Sequence, residues 1–160
     1  MATRLLQEQV YDAPLAQVSA MLTDRAFREQ VCTAQHALDQ DVTVTPNAGG
    51  TTVHIEMTQP TEGVPGFAKK IVGESTTVVQ TETWTSPEHA DIVVTIPGKP
   101  GEIRGTATLV EVGGVTTETI DLSITVKIPL ISGKLEDLLA KLLRSALRAE
   151  QRTGTQWLAG

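Results

Sequence analysis

The clearest pattern in the chain lies between Val115 and Ile128, where apolar and polar residues alternate without a break from Thr119 onward. Ile120, Leu122, Ile124, Val126 and Ile128 take one face, and Thr119, Asp121, Ser123, Thr125 and Lys127 the other. A period of two over this length predicts a strand with one buried face, as in an antiparallel sheet. The same period runs from Leu38, with Leu38, Gln40, Val42 and Val44 opposed to Asp41, Thr43 and Thr45. It recurs from Thr51 to Gln59, with Val53, Ile55 and Met57 opposed to His54, Glu56 and Thr58. Arg4–Tyr11, Ser75–Thr85, Asp91–Ile96 and Glu102–Val112 read as further strands. Turn chemistry separates them: Asn47-Ala48-Gly49-Gly50, Ser86-Pro87-Glu88, Pro97-Gly98-Lys99-Pro100-Gly101, and Gly113-Gly114 at the two-residue spacing of a tight hairpin.

Four stretches follow a helical period instead. After Asp12-Ala13-Pro14, the residues Leu15, Val18 and Leu22 form one stripe. Asp24 then stands as an N-cap before Phe27 and Val31. Val64, Phe67 and Ile71 share one face of a short helix ending at Gly73, which reads either as a lid over a cavity mouth or as a fixed plug. From Gly133 to Thr153 the chain predicts a long amphipathic helix with Ser132 as its cap. Leu135, Leu138, Leu139, Leu142, Ala146 and Ala149 form its stripe, with Leu143 and Leu147 on the shoulder. Glu136 and Asp137 fall in its first turn as read here and Arg148 and Arg152 near its end, which suits the helix dipole. Gly154 is expected to interrupt it, and Trp157-Leu158 to dock the tail.

The order is therefore a strand, two short helices, a run of antiparallel strands and one long helix. A sheet of about seven strands leaves an apolar face that only the terminal helix is long enough to cover. The expectation is an α+β domain spanning residues 1–160, with a curved antiparallel sheet gripping a C-terminal helix. Composition narrows the function classes: 160 residues, 40% apolar, with a net charge of −6, fit one folded domain. Nucleic acid is not an expected partner, because a phosphate backbone calls for a basic face. Lys141, Arg144, Arg148 and Arg152 read as the solvated face of the last helix. No apolar run approaches the ~20 residues of a membrane span. Cys32, the single cysteine, reads as a small buried hydrophobe and not a nucleophile. Cytoplasmic location is the expectation, with no cofactor.

Particular residues resemble the START-like superfamily, also called SRPBCC or helix-grip proteins. They are Asp12-Ala13-Pro14, Asp24 with Phe27, Val64-Pro65 with Phe67, the stretch from Val79 to Trp84, and Pro97–Gly101. Ile128-Pro129-Leu130 leading into Gly133-Lys134-Leu135-Glu136, and the closing Trp157-Leu158, complete the likeness. Within the superfamily the chain resembles a branch of domain-of-unknown-function proteins found mainly in actinobacteria. The resemblance implies an elongated cavity between sheet and helix, used for lipids, sterols, polyketides or other apolar ligands. It also admits cyclases, aromatases or hydrolases, and protein-interaction modules, so the fold leaves function open.

Alternation converges Val53, Ile55, Met57, Ile120 and Leu122 on the helix residues Leu135, Leu138, Leu139 and Leu142, either around a cavity or in a solid core. Phe67 and Ile71 would close one end. Val78, Gln80, Glu82 and Trp84 share a face of one strand, and Glu118 shares the inward register of Ile120. Carboxyls at Glu82 and Glu118 would be available to orient the polar end of a ligand, or to act as acid and base in a cyclase- or dehydratase-type reaction. A small apolar ligand is thus the expected partner, and no particular protein partner is indicated. His54 and Glu56 share a strand face, but no third ligand completes a metal site, and no metal is expected. No nucleophile elbow or phosphate loop is present.

Overall fold

A computed structural model describes residues 2–160. The elements are β1 (Thr3–Tyr11), α1 (Leu15–Leu22), α2 (Arg25–Ala34), β2 (Asp39–Pro46), β3 (Thr51–Pro60), α3 (Gly66–Val72), β4 (Ser75–Ser86), β5 (His89–Thr95), β6 (Gly101–Val112), β7 (Val115–Val126) and α4 (Ser132–Ala159). The alternating segments pair into one antiparallel seven-stranded sheet in the order β1-β7-β6-β5-β4-β3-β2. β1 pairs with β7 and not with β2, so α1 and α2 carry the chain from one sheet edge to the other. Curvature leaves a concave face, and α4 crosses it against β1, β7, α1 and α2. The expected grip of sheet on helix is what forms.

Local chemistry accounts for the element ends. Asp24 Oδ1 accepts from the backbone N–H groups of Ala26 at 2.8 Å and Phe27 at 3.2 Å, which caps α2. Gly113 and Gly114 both take positive φ, 60° and 81°, the requirement of a two-residue hairpin whose twist matches its strands. At Gly105 a side chain would run into the Asp121 carbonyl of β7, so glycine permits the close approach of β6 to β7 there.

Several expectations on α4 are corrected. Ser132 does not cap it: the helix begins at Ser132, the preceding Ile131 occupies the cap position, and no side chain closes the end. Glu136 therefore lies beyond the first turn, and its role is not with the dipole. It is buried, accepting from Val126 N–H and from Thr3 Oγ1, each at 2.9 Å, and so ties α4 to the ends of β7 and β1. Gly154 does not interrupt the helix, which runs 28 residues to Ala159, roughly 42 Å. It marks a close approach instead, since a Cβ there would lie 2.7 Å from Tyr11 Cε1 and 3.1 Å from Met21 Cε. Trp157 docks edge-on to Phe27 with ring centroids 5.5 Å apart. Leu38 lies before β2 and is exposed, so it does not share the buried face of Val42.

The buried residues fall into two unequal clusters. A large one joins α1, α2 and most of the sheet to the middle and C-terminal part of α4. A small one, of Ala68, Val126 and Leu135 with half-buried neighbours including Phe67 and Ile71, joins α3 to the start of α4.

Candidate functional site

Between the concave sheet and α4 the packing is incomplete, and a cavity of about 530 Å³ remains. The sheet wall is built by Met57, Val78, Ile92, Val94, Ile103, Ile120 and Leu122, and the helix wall by Leu135, Leu138, Leu139, Leu142 and Leu143. Both walls follow from patterning, since alternate strand residues and one helix stripe face each other. That volume is within the range of small-molecule sites.

At one end Val64 and, from α3, Ala68 and Ile71 close the space. The segment leaves and rejoins the sheet at a clasp: Thr61 Oγ1 donates to the Gly73 carbonyl and Thr61 N–H to the Glu74 carbonyl at 3.2 Å. Gly73 stands at φ 80°, a conformation that favours glycine. His36, Lys99 and Arg152 border the cavity from its exposed rim.

The other end is polar and buried. Glu82 from β4, Glu118 from β7 and Glu150 from α4 border the cavity there, together with Gln80. Behind them lies the Arg28 guanidinium of α2, 1% exposed. Its Nη2 donates to Glu82 Oε1 at 2.6 Å, its Nη1 to Glu150 Oε1 at 3.0 Å and its Nε to the Leu22 carbonyl at 2.7 Å. Glu82 is fully engaged, because Trp84 Nε1 also donates to Oε1 at 3.1 Å and Gln80 Nε2 to Oε2 at 2.6 Å. Glu150 Oε2 accepts from Gln9 Nε2 at 3.1 Å. Glu118 is different: it is 2% exposed, and its Oε1 has no partner.

Burial raises the Glu118 carboxyl well above the ordinary range, and the charges of Glu150 and Glu82 push the same way against Arg28. Glu150 is raised too, by burial, with Arg28 opposing. For Arg28, burial alone would lower the guanidinium, but Glu82, Glu150 and Glu118 outweigh it, so the group is held charged. One buried cation thus faces three carboxyls, and Glu118 is the one it does not bond.

Of the residues singled out from the sequence, Met57, Ile71, Val78, Gln80, Glu82, Glu118, Ile120, Leu122, Leu135, Leu138, Leu139 and Leu142 border the cavity. Four do not. Val53 and Ile55 are buried in the main core, where α2 and β2 pack beside β3. Trp84 stands behind Glu82, closed into the core. Phe67 turns from the cavity toward Lys134, whose Nζ lies 4.1 Å from the ring centroid. Leu142 borders the cavity while 45% exposed, because the buried line of α4 is centred nearer Leu139, Leu143 and Ala146.

Sequence reasoning missed Arg28, Glu150 and Gln9. A signal existed, for Arg28 shares the helical stripe of Val31 and Cys32, and Glu150 continues that of Leu139, Leu143 and Ala146. Cys32 is buried, and burial pushes its thiol up to about 11, with Arg28 opposing. His54 is half-exposed, 3.1 Å from Thr81 Oγ1 and 3.4 Å from Glu56 Oε1. Among the described residues, no group of three or more His, Cys, Asp or Glu is placed to hold a metal ion, and no helix is long and apolar enough to cross a membrane.

A curved antiparallel sheet closed over a cavity by a long C-terminal helix is the START-like, helix-grip fold. The chain belongs to the family described as protein of unknown function DUF2505, whose pattern matches residues 7–158. It is 31% identical over 101 residues to an uncharacterised protein of Mycobacterium tuberculosis, a match covering 59% of this chain and 58% of that protein. Mycobacterial relatives agree with the actinobacterial branch expected from the sequence. A START superfamily protein from Mycobacterium smegmatis superposes with a TM-score of 0.65 at 13% identity, covering 96% of this chain and 98% of that one. The di-domain ARO/CYC protein BexL from the BE-7585A biosynthetic pathway gives 0.63 at 14% identity, covering 97% of this chain and 49% of that one. At these identities the likeness is one of fold.

Proposed function

We propose that this protein binds a small amphipathic molecule in the cavity between sheet and α4. The ligand's apolar body lies along Val94, Leu122 and Leu139, and its polar end meets Glu118 and Gln80. The observation that carries this reading is the pairing of an unfilled apolar cavity with one buried, unpartnered carboxyl oxygen at its inner end. Burial of apolar ligand surface supplies the affinity, at roughly 25 cal/mol per Å² removed from water, and the polar end sets orientation. Acid–base catalysis by a Glu82–Glu118 pair is less well supported, since every contact to Glu82 commits it to Arg28, Trp84 or Gln80. The solved relatives named for START and ARO/CYC proteins support a cavity-centred role. The buried thiol of Cys32 suits a reducing compartment, and we infer a cytoplasmic location on that ground.

The test is binding of a neutral apolar dye such as Nile red to the wild type and to Leu138→Trp. Leu138 is half-buried on the helix wall, so a larger ring there enters the cavity with little harm to the fold. The expected result is a loss of dye affinity of about tenfold or more, roughly 1.4 kcal/mol, with an unchanged circular dichroism spectrum. Equal dye binding by the two proteins would overturn the reading.

A further inference from the structure

The inner end of the cavity carries information about ligand charge. Three carboxyls border it, Glu82, Glu118 and Glu150, and the one cation there, Arg28, spends its Nε, Nη1 and Nη2 on Leu22, Glu150 and Glu82. The Lys and Arg side chains that do border the cavity, Lys99 and Arg152, are exposed at its rim. An anionic head entering this end would meet carboxyls with no uncommitted cation to receive it.

The unpartnered atoms point the same way. Glu118 Oε1 is buried without a partner, and so is Oε1 of Gln9, which lies directly across the β1–β7 ladder from Glu118. Both are acceptor positions when Glu118 is ionised. Tyr11 Oη, also buried without a partner, supplies one O–H beside them, so what the region lacks once Glu118 is ionised is positive charge. A primary ammonium supplies three donors, one charge and no acceptor; an alcohol supplies one donor and no charge.

We propose that the cavity selects lipophilic primary amines, with the ammonium against Glu118 and Glu150 and the alkyl body along the walls of sheet and α4. This rests on the binding reading above and names the ligand class for that site. In the free protein burial and the facing carboxyls of Glu150 on α4 and Glu82 on β4 favour the protonated form of Glu118, against Arg28 on α2 and Gln9 on β1. From β1 it is faced by Gln9 and by Tyr11, whose phenol is itself raised by burial and stays protonated. Arrival of an ammonium replaces that proton with a fixed positive charge, so binding releases a proton to solvent.

Titration calorimetry with decylamine, decanol and decanoate, each at neutral pH and in two buffers of different ionisation enthalpy, tests this. The expected order is decylamine tightest, by about tenfold or more over decanol, and decanoate weakest. Proton release accompanies the amine alone. Glu118→Gln, which keeps the side-chain shape, brings decylamine to within about threefold of decanol. Decanoate binding as tightly as decylamine would overturn the amine assignment. So would an amine preference that survives Glu118→Gln without proton release, which is attraction to the acidic surface. Decanol binding with no amine preference overturns this inference and leaves the binding reading standing. Failure of both decanol and decylamine to bind overturns both.

Discussion

The two ends of the cavity are built on opposite principles. At the inner end, α1, α2 and the last turns of α4 are locked by large buried side chains and by a charged network: Phe27 against Trp157, Tyr11 against Gly154, and Arg28 between Glu82 and Glu150. At the outer end, α3 rests on a small apolar cluster with half-buried Phe67, Ile71 and Leu138, and joins the sheet through glycine and a threonine clasp. One end is held by interactions that are costly to break and the other by few of them. Fold stability therefore resides at the inner end, and local opening is cheapest at the α3 end, where the proposed ligand would pass.

The largest expected effect comes from removing the inner cation. Arg28→Met leaves Glu82 and Glu150 buried without their partner, and it should destabilise the fold by about 3–5 kcal/mol, read by urea denaturation. Adding Glu82→Gln and Glu150→Gln to that variant should recover much of the loss. A single variant as stable as the wild type would mean that the network does not lock this end.

Two phenylalanines sharpen the contrast directly. Phe27→Ala opens a void in the main core and should cost about 3–5 kcal/mol. Phe67→Ala, half-buried beside α3, should cost about 1 kcal/mol while speeding ligand exchange in stopped-flow dye release. Equal losses of stability at the two sites would erase the distinction between the ends.

The smallest effect is a pH slope. The Glu118 carboxyl is raised in the fold by burial and by Glu150 and Glu82, whereas in the unfolded chain it titrates near the ordinary value of about 4.3. Between those values the folded state holds more protons than the unfolded one. The stability contribution is therefore full below the unfolded value and is lost as pH rises through the folded one. Glu150 adds a slope of the same sign. Wild-type denaturation midpoints should fall as pH rises above about 5, and Glu118→Gln should flatten part of that fall. A variant with the full wild-type slope would show that Glu118 is not held protonated.

How much of this was legible in the sequence also divides along the molecule. The sheet and the α4 grip were readable because β7 alternates strictly from Thr119 to its end and α4 repeats leucine at helical spacing, both direct signatures of one-sided burial. Glu82 and Glu118 were found for the same reason, through the strand register that turns them inward. Arg28 and Glu150 were not, although each lies on an apolar stripe. Charged residues on helices are so commonly solvated that position alone does not reveal burial. Their burial becomes visible only when α2, α4 and β4 meet, a relation between residues 54 and 122 positions apart. Val53, Ile55 and Trp84 were placed on the correct face, but period two does not tell which part of a buried face meets a void and which meets a neighbouring helix. Phe67 was placed on the apolar face of α3, yet its pairing with Lys134 depends on where α4 begins.

The most direct test of the central claim, an open cavity that holds an amphipathic ligand, is native mass spectrometry of freshly purified protein followed by solvent extraction of whatever it carries. The account predicts an adduct in stoichiometric amount that is apolar, carries a polar group, and is displaced in the Leu138→Trp variant. A clean unliganded mass, together with no thermal shift across a panel of amines, alcohols, sterols and fatty acids, would contradict it.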